Sequence, residues 1–341
     1  MIDLRSDTVT KPTEEMRKAM YEAEVGDDVY QEDPTVKNLE ETAADILGKE
    51  DALYVTSGTQ GNQIAVLTHC RPGEELLLEA ESHIFFYESG AVAALAGVQT
   101  RTVKGIRGAM EPQKVLEAIR TDDIHFPETG LICLENTHNR AGGAVIPVGN
   151  MAEIYKIAQA SKVPVHLDGA RLFNAAAAAN VDVKEFSNYA DSVQVCLSKG
   201  LGAPVGSIIA GSTEFIGNAR KWRKRLGGGM RQAGVIAAPG LIALTKMRER
   251  LEEDHVNARM LADGITAIPG IEITSQPETN IVVADVAGLN LTSEVFVELL
   301  WKEGVIAGTF GATSVRFVTH YDVPRNDIHK AIDAIARAAR H

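Results

Sequence analysis

Short apolar runs alternate with stretches of helical periodicity through the first part of the chain. Strands are predicted where apolar residues run together between turn-forming residues, at 52–56, 76–78, 130–135, 163–168, 192–197 and 206–210. Helices are predicted between these runs, one through Ile64 and Leu67 and others at 84–95 and 151–160. Strands that alternate with helices predict an α/β fold whose mainly parallel sheet is covered on both faces.

The pattern changes after about Val235. Two long helical segments, 235–253 and 256–268, precede shorter predicted strands at 271–274, 280–284 and 315–318 and a helix at 293–302. This arrangement predicts a smaller C-terminal α+β domain packed beside the large one. The predicted organisation is an N-terminal arm at 1–13, a large domain at 14–246 and a small domain at 247–341.

Composition narrows the class of protein without changing the predicted fold. The chain has 341 residues, of which 45% are hydrophobic and 23% charged, and its net charge is −12. A negative surface argues against nucleic-acid and anionic-membrane partners, and the apolar stretches are too short to span a bilayer. The three cysteines lie far apart, and the first residues lack the apolar segment of a signal peptide. A cytoplasmic location is therefore expected.

Reactive side chains follow three of the predicted strands. Ser57-Gly58-Thr59 comes directly after the first strand, Asp168 ends the strand at 163–168, and Lys199 follows the strand at 192–197. Ligands of parallel α/β sheets bind beyond the carboxyl ends of the strands. We therefore expect these three points to meet in one crevice.

The turn at Ser57-Gly58-Thr59 leads from a strand into a helix. The first N–H groups of a helix are free and, with the helix dipole, attract an anion such as a phosphate. The turn lacks the lysine of a Walker motif and the spacing of G-x-G-x-x-G. An ordinary N-capped helix explains it equally well.

Asp168 needs a partner, because a carboxylate at the end of a buried strand is costly to desolvate. The pyridine nitrogen of pyridoxal 5′-phosphate (PLP) is such a partner, and an ionised Asp keeps it protonated. His166 lies on the same face of the strand, as two metal ligands would, but no third ligand stands nearby in sequence, and no metal is predicted. A structural role capping the next helix remains an alternative.

Lys199 lies between an apolar run and a Gly- and Ala-rich segment, with no neighbouring acid. Most lysines are solvated surface charges, but a partly desolvated amine attacks an aldehyde. Ser198 is not spaced as in the S-x-x-K acylases. Together with Asp168 and the phosphate turn, Lys199 predicts PLP bound as a Schiff base, and hence an enzyme that acts on a small amino acid.

Two arginines are candidates for an amino acid's carboxylate. Arg316 lies in a predicted strand of the small domain and could be either an edge charge or a bidentate clamp. Arg171 follows Asp168 by three residues. His83 and Tyr87 stand after the second strand, where an imidazole or phenol could stack on a flat ring or relay a proton, although a lone histidine is more often structural.

The motifs, taken in order, resemble those of the threonine aldolases, a branch of the fold-type I PLP-dependent transferase-like enzymes related to the β-eliminating lyases. The resemblance covers almost the whole chain and rests on the stretches at 4–10, 25–30, 32–35, 57–59, 82–84, 135–139, 166–171, 197–200, 227–234 and 316–320. Each motif alone is weak, but this many in order is strong. Two residues depart from the family pattern, Gln31 in place of a glycine and Gln60 in place of a residue that is often methionine. Gln31 is expected to alter the loop near the substrate, and Gln60 the lining of the cofactor pocket.

The resemblance implies a role for each matching residue. Lys199 forms the Schiff base, Asp168 pairs with the pyridinium nitrogen, and His83 stacks over the ring. The implied phosphate-binding residues are Ser57, Gly58 and Thr59, and the implied carboxylate-binding residues are Ser6, Arg171 and Arg316. The implied side-chain pocket consists of Tyr30, Tyr87 and His125. Arg231 is implied to reach the site of a neighbouring subunit, in a homotetramer that is a dimer of dimers.

The implied reaction is retro-aldol cleavage of threonine or allo-threonine to glycine and acetaldehyde, within threonine breakdown and glycine formation. His83, His125 or a water held by either is the expected base, and the preference between the two substrates stays open. Another PLP enzyme, an aminotransferase or a β-eliminating lyase, would use the same Lys199 and Asp168. A PLP-binding protein without catalysis is the alternative from another class.

Overall fold

A seven-stranded sheet forms the centre of the large layer in the computed structural model, which describes residues 1–340. Its strands are β1 Asp51–Val55, β2 Glu75–Glu79, β3 Gln99–Val103, β4 Thr129–Glu135, β5 Val165–Asp168, β6 Ser192–Cys196 and β7 Ser207–Gly211. The order across the sheet is β1-β7-β6-β5-β4-β2-β3, and only β7 runs antiparallel to its neighbours. The predicted mainly parallel sheet is therefore confirmed. Its strands are buried almost throughout because helices cover both faces, except for the edge strand β3, in which only Val103 is buried.

Most helices of this layer lie between successive strands, as the sequence predicts. The helices are α1 Glu14–Glu22, α2 Pro34–Leu47, α3 Gly58–His69, α4 His83–Phe86, α5 Pro112–Ala118, α6 Val148–Ala160, α7 Leu172–Ala179, α8 Lys184–Ser187, α9 Thr213–Arg225 and α10 Gly234–Thr245. Of these, α1 and α2 precede β1, and no helix lies between β6 and β7. One large core cluster runs from Met16 to Leu251 and joins most of these helices to the sheet, whereas α3, α4 and α9 pack against it in two smaller clusters. In the described residues, 1–340, no helix is both long and apolar enough to cross a membrane.

Two predicted helices are wrong in extent. The segment 84–95 is not one helix, because the chain reverses at Ser89 and Gly90, where φ is 54° and 69°, and a π-helical turn at Val92–Ala96 follows. The segment 235–253 breaks after α10 into a 3-10 turn at Met247–Arg250. The apolar spacing continues across this second break through the buried Met247 and Leu251, so periodicity does not reveal it.

A second, four-stranded antiparallel sheet forms a smaller layer. Its strands are β8 Glu272–Ile273, β9 Ile281–Asp285, β10 Gly308–Thr309 and β11 Ser314–Val318, and its helices are α11 Leu251–Thr266, α12 Ser293–Lys302 and α13 Arg325–Ala338. The order across this sheet is β8-β9-β11-β10. These elements share a core of their own.

The N-terminal arm belongs to the smaller layer by its contacts. Ile2 and Asp3 pair in parallel with Val305 and Ile306, and Leu4 is buried in the core of the smaller layer. The chain then crosses to the carboxyl edge of the large sheet. The predicted boundaries 1–13, 14–246 and 247–341 stay predictions, and the last residue of the small domain, His341, lies outside the described residues.

Candidate active site

Two adjoining cavities lie where the carboxyl edge of the large sheet faces the smaller layer. Their volumes are about 210 and 320 Å³, and both are lined by His83, Asn139, Arg171 and Lys199. The first also touches the turn after β1 and the ends of β4, β5 and β6, whereas the second reaches Ser6, Tyr87 and Arg316. We call the two together the cleft. The three strand ends that the sequence singled out therefore meet in one place.

Lys199 presents its amine to both halves of the cleft. Its backbone is fixed by two hydrogen bonds to its carbonyl oxygen, from the hydroxyl of Thr10 at 2.9 Å and the N–H of Gly202 at 2.9 Å. Its side chain is half-buried, and the Nζ atom makes no hydrogen bond or ion pair with any of the residues 1–340. An amine that is held in a cleft without an acid partner suits attack on an aldehyde.

Asp168 ends β5 and is buried at the floor of the cleft. One carboxylate oxygen accepts the Asn62 amide at 2.8 Å and the other accepts the Ala170 N–H at 3.1 Å. His166 lies behind Asn62, with Nε2 3.1 Å from its amide oxygen. Burial lowers the pKa of His166 to about 3, against the attraction of Asp168, so the ring is neutral at pH 7.

The N-terminus of α3 faces the same half of the cleft. Ser57 is its N-cap, since the Ser57 hydroxyl accepts the Gln60 N–H at 3.1 Å. The next N–H groups, of Gly58 and Thr59, make no hydrogen bond with any described residue and line the cleft. A Cβ atom on Gly58 would lie 2.8 Å from Cys196 Sγ, so β6 packs directly against this turn. Both interpretations of the turn hold here, because a capped helix also leaves N–H groups free for an anion.

Arg171 is buried and forms a bidentate pair with Asp7 from the N-terminal arm, with both N–O distances at 2.7 Å. Burial raises the pKa of Asp7, but Arg171 first, then Lys199 and Asn280, outweigh it and hold the pKa well below its usual range. The pair uses Nε and Nη2 of Arg171 and leaves Nη1 for a ligand in the cleft. Arg171 is thus a neutralised arginine rather than a free positive charge.

Arg316 differs from Arg171 because no described carboxylate pairs with it. Its Nη1 donates to Asn139 at 3.0 Å and its Nη2 to the Arg5 carbonyl at 3.4 Å, while its buried Nε has no partner among residues 1–340. Burial and then the positive charge of Arg171 lower the pKa of Arg316. The result is a partly desolvated positive charge that faces the cleft without an anion.

His83 is tied to two carboxylates. Its backbone N–H donates to Glu135 at 2.6 Å, and its Nδ1 lies 3.0 Å from Glu88, which is buried. Burial disfavours the charged ring, but Glu88 and Asp168 outweigh burial and raise the pKa of His83 above its usual value. Tyr87 packs beside His83, with ring centroids 5.4 Å apart, and its hydroxyl accepts from Arg140 at 3.0 Å.

Ligand atoms of His83, Glu88 and Asp168 lie within 4.8 Å of one another, which is close enough for a metal ion. Hydrogen bonds already account for this group, since Asn62 bridges Asp168 and Glu88 at 2.8 Å each and Gln63 binds Glu88 at 2.6 Å. The cluster therefore has an explanation without a metal.

Three predicted residues lie outside the cleft of this protomer, and their predicted roles stay predictions. His125 lies on an exposed loop with its Nδ1 2.6 Å from Asp123 and lines neither half of the cleft. Tyr30 is 72% exposed. Arg231 is bound to Asp27 at 3.0 Å and points to solvent.

The two departures from the family pattern have clear positions. Gln31 has φ 57° and ψ 43°, the left-handed conformation that a glycine adopts without strain. Gln60 turns back to accept from the Thr56 N–H at 2.9 Å and lines neither half of the cleft. The expected effect of Gln60 on the cofactor pocket is therefore not seen.

Sequence reasoning assigned no role to five polar residues that build the cleft. They are Asp7, Asn62, Glu88, Glu135 and Asn139. A signal was present for Asn62, which lies one turn of α3 beyond Gly58 and hence on the same face. Glu88 lies just after α4, a helix of four residues that is too short to leave a periodic signature.

The groups in the cleft match the chemistry of PLP. A free amine, a carboxylate held by an amide and a pair of free helix N–H groups correspond to its aldehyde, its pyridine nitrogen and its phosphate. Such an arrangement on a mainly parallel sheet with a smaller C-terminal layer defines a fold-type I PLP-binding protein.

Comparison with known proteins places the chain more narrowly. Residues 3–288 match the beta-eliminating lyase family, and the chain belongs to that family. Over 343 residues it is 44% identical to low-specificity L-threonine aldolase 1 of Arabidopsis thaliana, covering 99% of this chain and 96% of that protein. It is 42% identical to the low specificity L-threonine aldolase of Escherichia coli strain K12, covering 96% of each. The solved structure of Leishmania major threonine aldolase shares the fold, with a TM-score of 0.84 at 18% identity over 99% of this chain and 100% of that chain.

Proposed function

We propose that this chain is a PLP-dependent aldolase that cleaves L-threonine, L-allo-threonine and related β-hydroxy-α-amino acids to glycine and an aldehyde. The observation that carries the proposal is one cleft that holds both the unpaired amine of Lys199 and the unpaired guanidinium of Arg316. The first suits a cofactor aldehyde and the second an amino acid carboxylate. The names of these two relatives support the same reaction.

Four groups would hold the cofactor. Lys199 would bind its aldehyde carbon, Asp168 its pyridine nitrogen, and the N–H groups of Gly58 and Thr59 its phosphate, with the Ser57 hydroxyl close by. When bound, PLP supplies the electron sink for the carbon–carbon bond that breaks. Asn62 fixes the Asp168 carboxylate at 2.8 Å and thereby sets the orientation of its remaining lone pairs.

Two arginines and a serine would hold the substrate carboxylate. Arg316 supplies the net positive charge, since Asp7 already neutralises Arg171. Nη1 of Arg171 and the Ser6 hydroxyl, which line the same half of the cleft, add hydrogen bonds that fix its orientation. A carboxylate held in this way aligns the rest of the amino acid with the floor of the cleft.

His83 is the proposed acceptor of the substrate hydroxyl proton, directly or through a water. Its ring lines both halves of the cleft, whereas His125 does not reach the cleft in this protomer. Tyr87 lies against His83 and would contact the substrate side chain.

We also propose a homotetramer, a dimer of dimers, in which Arg231, Tyr30 and His125 complete a neighbouring subunit's cleft. The exposure of these three side chains in the protomer supports this role. A reducing compartment such as the cytoplasm fits Cys70, Cys133 and Cys196, which are all buried as free thiols.

An assay of products separates the candidate reactions. Purified holoenzyme given L-threonine or L-allo-threonine is expected to release acetaldehyde and glycine in equal amounts. Lys199→Ala is expected to lose this activity and the borohydride-fixed cofactor on the peptide that contains residue 199, whereas Lys114→Ala, an exposed lysine on α5, retains both. Formation of a keto acid without acetaldehyde would instead indicate an aminotransferase or β-eliminating lyase, and cofactor binding without turnover a non-catalytic protein.

A further inference from the structure

We propose that Glu88 is a positioning residue that fixes His83 in the tautomer with Nδ1 protonated and Nε2 facing the substrate. The proposal rests on the proposed function, in which His83 accepts the substrate proton. It follows from the direction of each hydrogen bond in a buried network behind the cleft.

The network begins at His166, whose neutral state sets the direction of the bonds. Nδ1 and Nε2 of His166 contact the Ser192 hydroxyl at 2.9 Å and the Asn62 amide oxygen at 3.1 Å. An amide oxygen only accepts, so Nε2 carries the proton and Nδ1 accepts from Ser192. The Ser192 hydroxyl in turn accepts from His69 Nε2, which lies 2.9 Å away.

Asn62 therefore uses its oxygen for His166 and both amide hydrogens for carboxylates. One goes to Asp168 and the other to Glu88, each at 2.8 Å. The second oxygen of Glu88 accepts the Gln63 amide at 2.6 Å. Both oxygens of Glu88 thus accept from amides, which is the pattern of an ionised carboxylate.

His83 is left with one consistent arrangement. Its Nδ1 lies 3.0 Å from the Glu88 oxygen that also accepts from Asn62, so Nδ1 donates. Its Nε2 makes no hydrogen bond with any of the residues 1–340, while the ring borders both halves of the cleft. The free lone pair of the neutral ring consequently faces the space where a substrate hydroxyl would lie.

The local fold explains how Glu88 reaches this place. His83 begins the short helix α4, Tyr87 ends it, and Ser89 and Gly90 reverse the chain with φ of 54° and 69°. Glu88 directly follows Tyr87, the C-cap of α4, so the single turn of this helix brings its carboxylate back to His83, and Glu88 is 3% exposed. An exposed acid at this spacing would be screened by water, whereas a buried one acts on the ring strongly.

Other charged and titratable groups also face His83 and enter any pH dependence. They are Asp168 on β5, Lys199 after β6, Tyr87 on its own helix, Glu135 at its backbone N–H, and Arg171 and Arg316 across the cleft. Only Glu88 contacts the ring nitrogen opposite the substrate side. Replacing it changes the tautomer and the charge next to the ring without removing any group that touches the substrate.

Glu88→Gln tests the proposal in a double-mutant cycle, together with His83→Asn and the variant that carries both substitutions. We expect kcat for threonine to fall about 10- to 100-fold in Glu88→Gln, the range of a misoriented general base. We expect no further fall when Glu88→Gln is added to His83→Asn. The acidic limb of the kcat/KM profile should move to lower pH in Glu88→Gln by about one unit, because a carboxylate that favours protonated His83 is lost.

Glu79→Gln is the matched control, since Glu79 forms a similar buried pair with His138 at 3.1 Å, outside the cleft. It is expected to leave kcat and the acidic limb unchanged. Three outcomes would each overturn the proposal. The double variant could lose kcat by the product of the two single losses, or the acidic limb could stay in place in Glu88→Gln. Glu88→Gln could also lose bound PLP in proportion to its loss of kcat.

A measurement on the wild-type holoenzyme covers the case in which Glu88→Gln does not fold. Nitrogen-15 NMR of labelled histidines, with His83 assigned through His83→Asn, should show the Nδ1–H tautomer above its pKa. The Nε2–H tautomer would overturn the proposal. This readout does not depend on turnover, so it also separates the two proposals. Wild-type enzyme that releases no aldehyde but shows the Nδ1–H tautomer would refute only the proposed function.

Discussion

At the scale of single residues, the two arginines of the cleft show that charge balance depends on partners rather than on residue type. Arg171 and Arg316 both border the substrate half of the cleft, but only Arg171 has a carboxylate partner, Asp7. A buried charge without a partner is costly, so Arg316 has a larger free energy to recover when an anion binds. The net attraction for a substrate carboxylate is therefore expected to come from Arg316.

Replacement of Arg316 tests this difference. Arg316→Ala is expected to raise KM for threonine about 100-fold, which corresponds to the loss of one charge-assisted contact of about 2–3 kcal/mol. The KM of Arg316→Lys should lie between those of the wild type and Arg316→Ala, because lysine keeps the charge but lacks the planar guanidinium. Steady-state kinetics measures KM for both variants. Arg5→Ala is the control, because Arg5 is exposed and pairs with Asp3. An unchanged KM in Arg316→Ala would assign the carboxylate to another group.

The residues that sequence reasoning found differ physically from those it missed. Lys199, Asp168 and Ser57 follow strands, and strand ends are read from apolar runs. The partner of Arg171, Asp7, lies 164 positions away, in an arm whose strand and 3-10 turn have only two and three residues. Glu88 lies just beyond the end of a helix of only four residues, and its partners Asn62 and Gln63 are on α3. Contacts of these kinds are set by tertiary structure and leave no periodic trace in the sequence.

At the scale of elements, six of the seven strands of the large sheet were predicted to within two residues at each end, whereas the polar edge strand β3 was missed and helix ends were less accurate. A buried parallel strand is marked by a continuous apolar run, which needs no knowledge of its neighbours. A helix end depends on caps and turns, as in the break at Ser89 and Gly90 within 84–95. Where a cap residue is present, however, its effect is testable.

Asp33 caps one helix and ties it to another. Its carboxylate accepts the Val36 N–H in the first turn of α2 at 3.0 Å and the Gly234 N–H at the start of α10 at 2.8 Å. Asp33→Ala would leave both N–H groups without partners in a buried place, and we expect the free energy of unfolding to fall by about 3 kcal/mol. Urea unfolding followed by circular dichroism measures the change.

Thr292 is the control for this prediction, because it caps α12 alone through the Val295 N–H at 3.4 Å. Thr292→Ala is expected to lower the free energy of unfolding by about 1 kcal/mol, the usual value of a single cap. Equal losses in the two variants would show that the Gly234 contact contributes nothing.

At the scale of the whole molecule, the two layers are joined by the N-terminal arm and by buried polar groups. The arm pairs with the smaller layer at Ile2 and Asp3 and then places Ser6 and Asp7 in the cleft. Several of the buried groups titrate near neutral pH, and their pKa values differ between the folded and unfolded chain. Stability should therefore depend on pH in a direction that can be worked out.

Three buried histidines dominate the pH dependence of stability below neutral pH. Burial lowers the pKa of His69 to about 4, of His166 to about 3 and of His255 to about 4. In the unfolded chain a histidine has a pKa of about 6.5, so between about pH 6.5 and 4 the unfolded state binds more protons. The histidine contribution to stability is thus present above about pH 6.5 and is lost as pH falls toward 4.

One carboxyl changes the stability in the opposite direction over part of this pH range. Burial raises the pKa of Asp254 to about 6 against the attraction of Arg250, so the folded state holds a proton that the unfolded state releases. Glu40 and Glu135, whose pKa values are also raised by burial, add to this opposition. Three histidines that take up protons on unfolding are opposed by these carboxyls, and the net change in stability near pH 5 is expected to be a rise with pH.

Urea unfolding between pH 4.5 and 7 is expected to show stability that rises with pH, and two variants should change the slope in opposite directions. His255→Gln keeps a donor for the Asn174 oxygen, 3.0 Å from Nε2, but cannot titrate, and should reduce the slope by about 1.4 kcal/mol per pH unit at most. Asp254→Asn removes an opposing carboxyl and should steepen the slope, while lowering stability overall because Arg250 loses its buried partner. A slope that His255→Gln does not change would mean that this ring is already protonated in the folded chain, since only a neutral buried histidine makes folding release a proton.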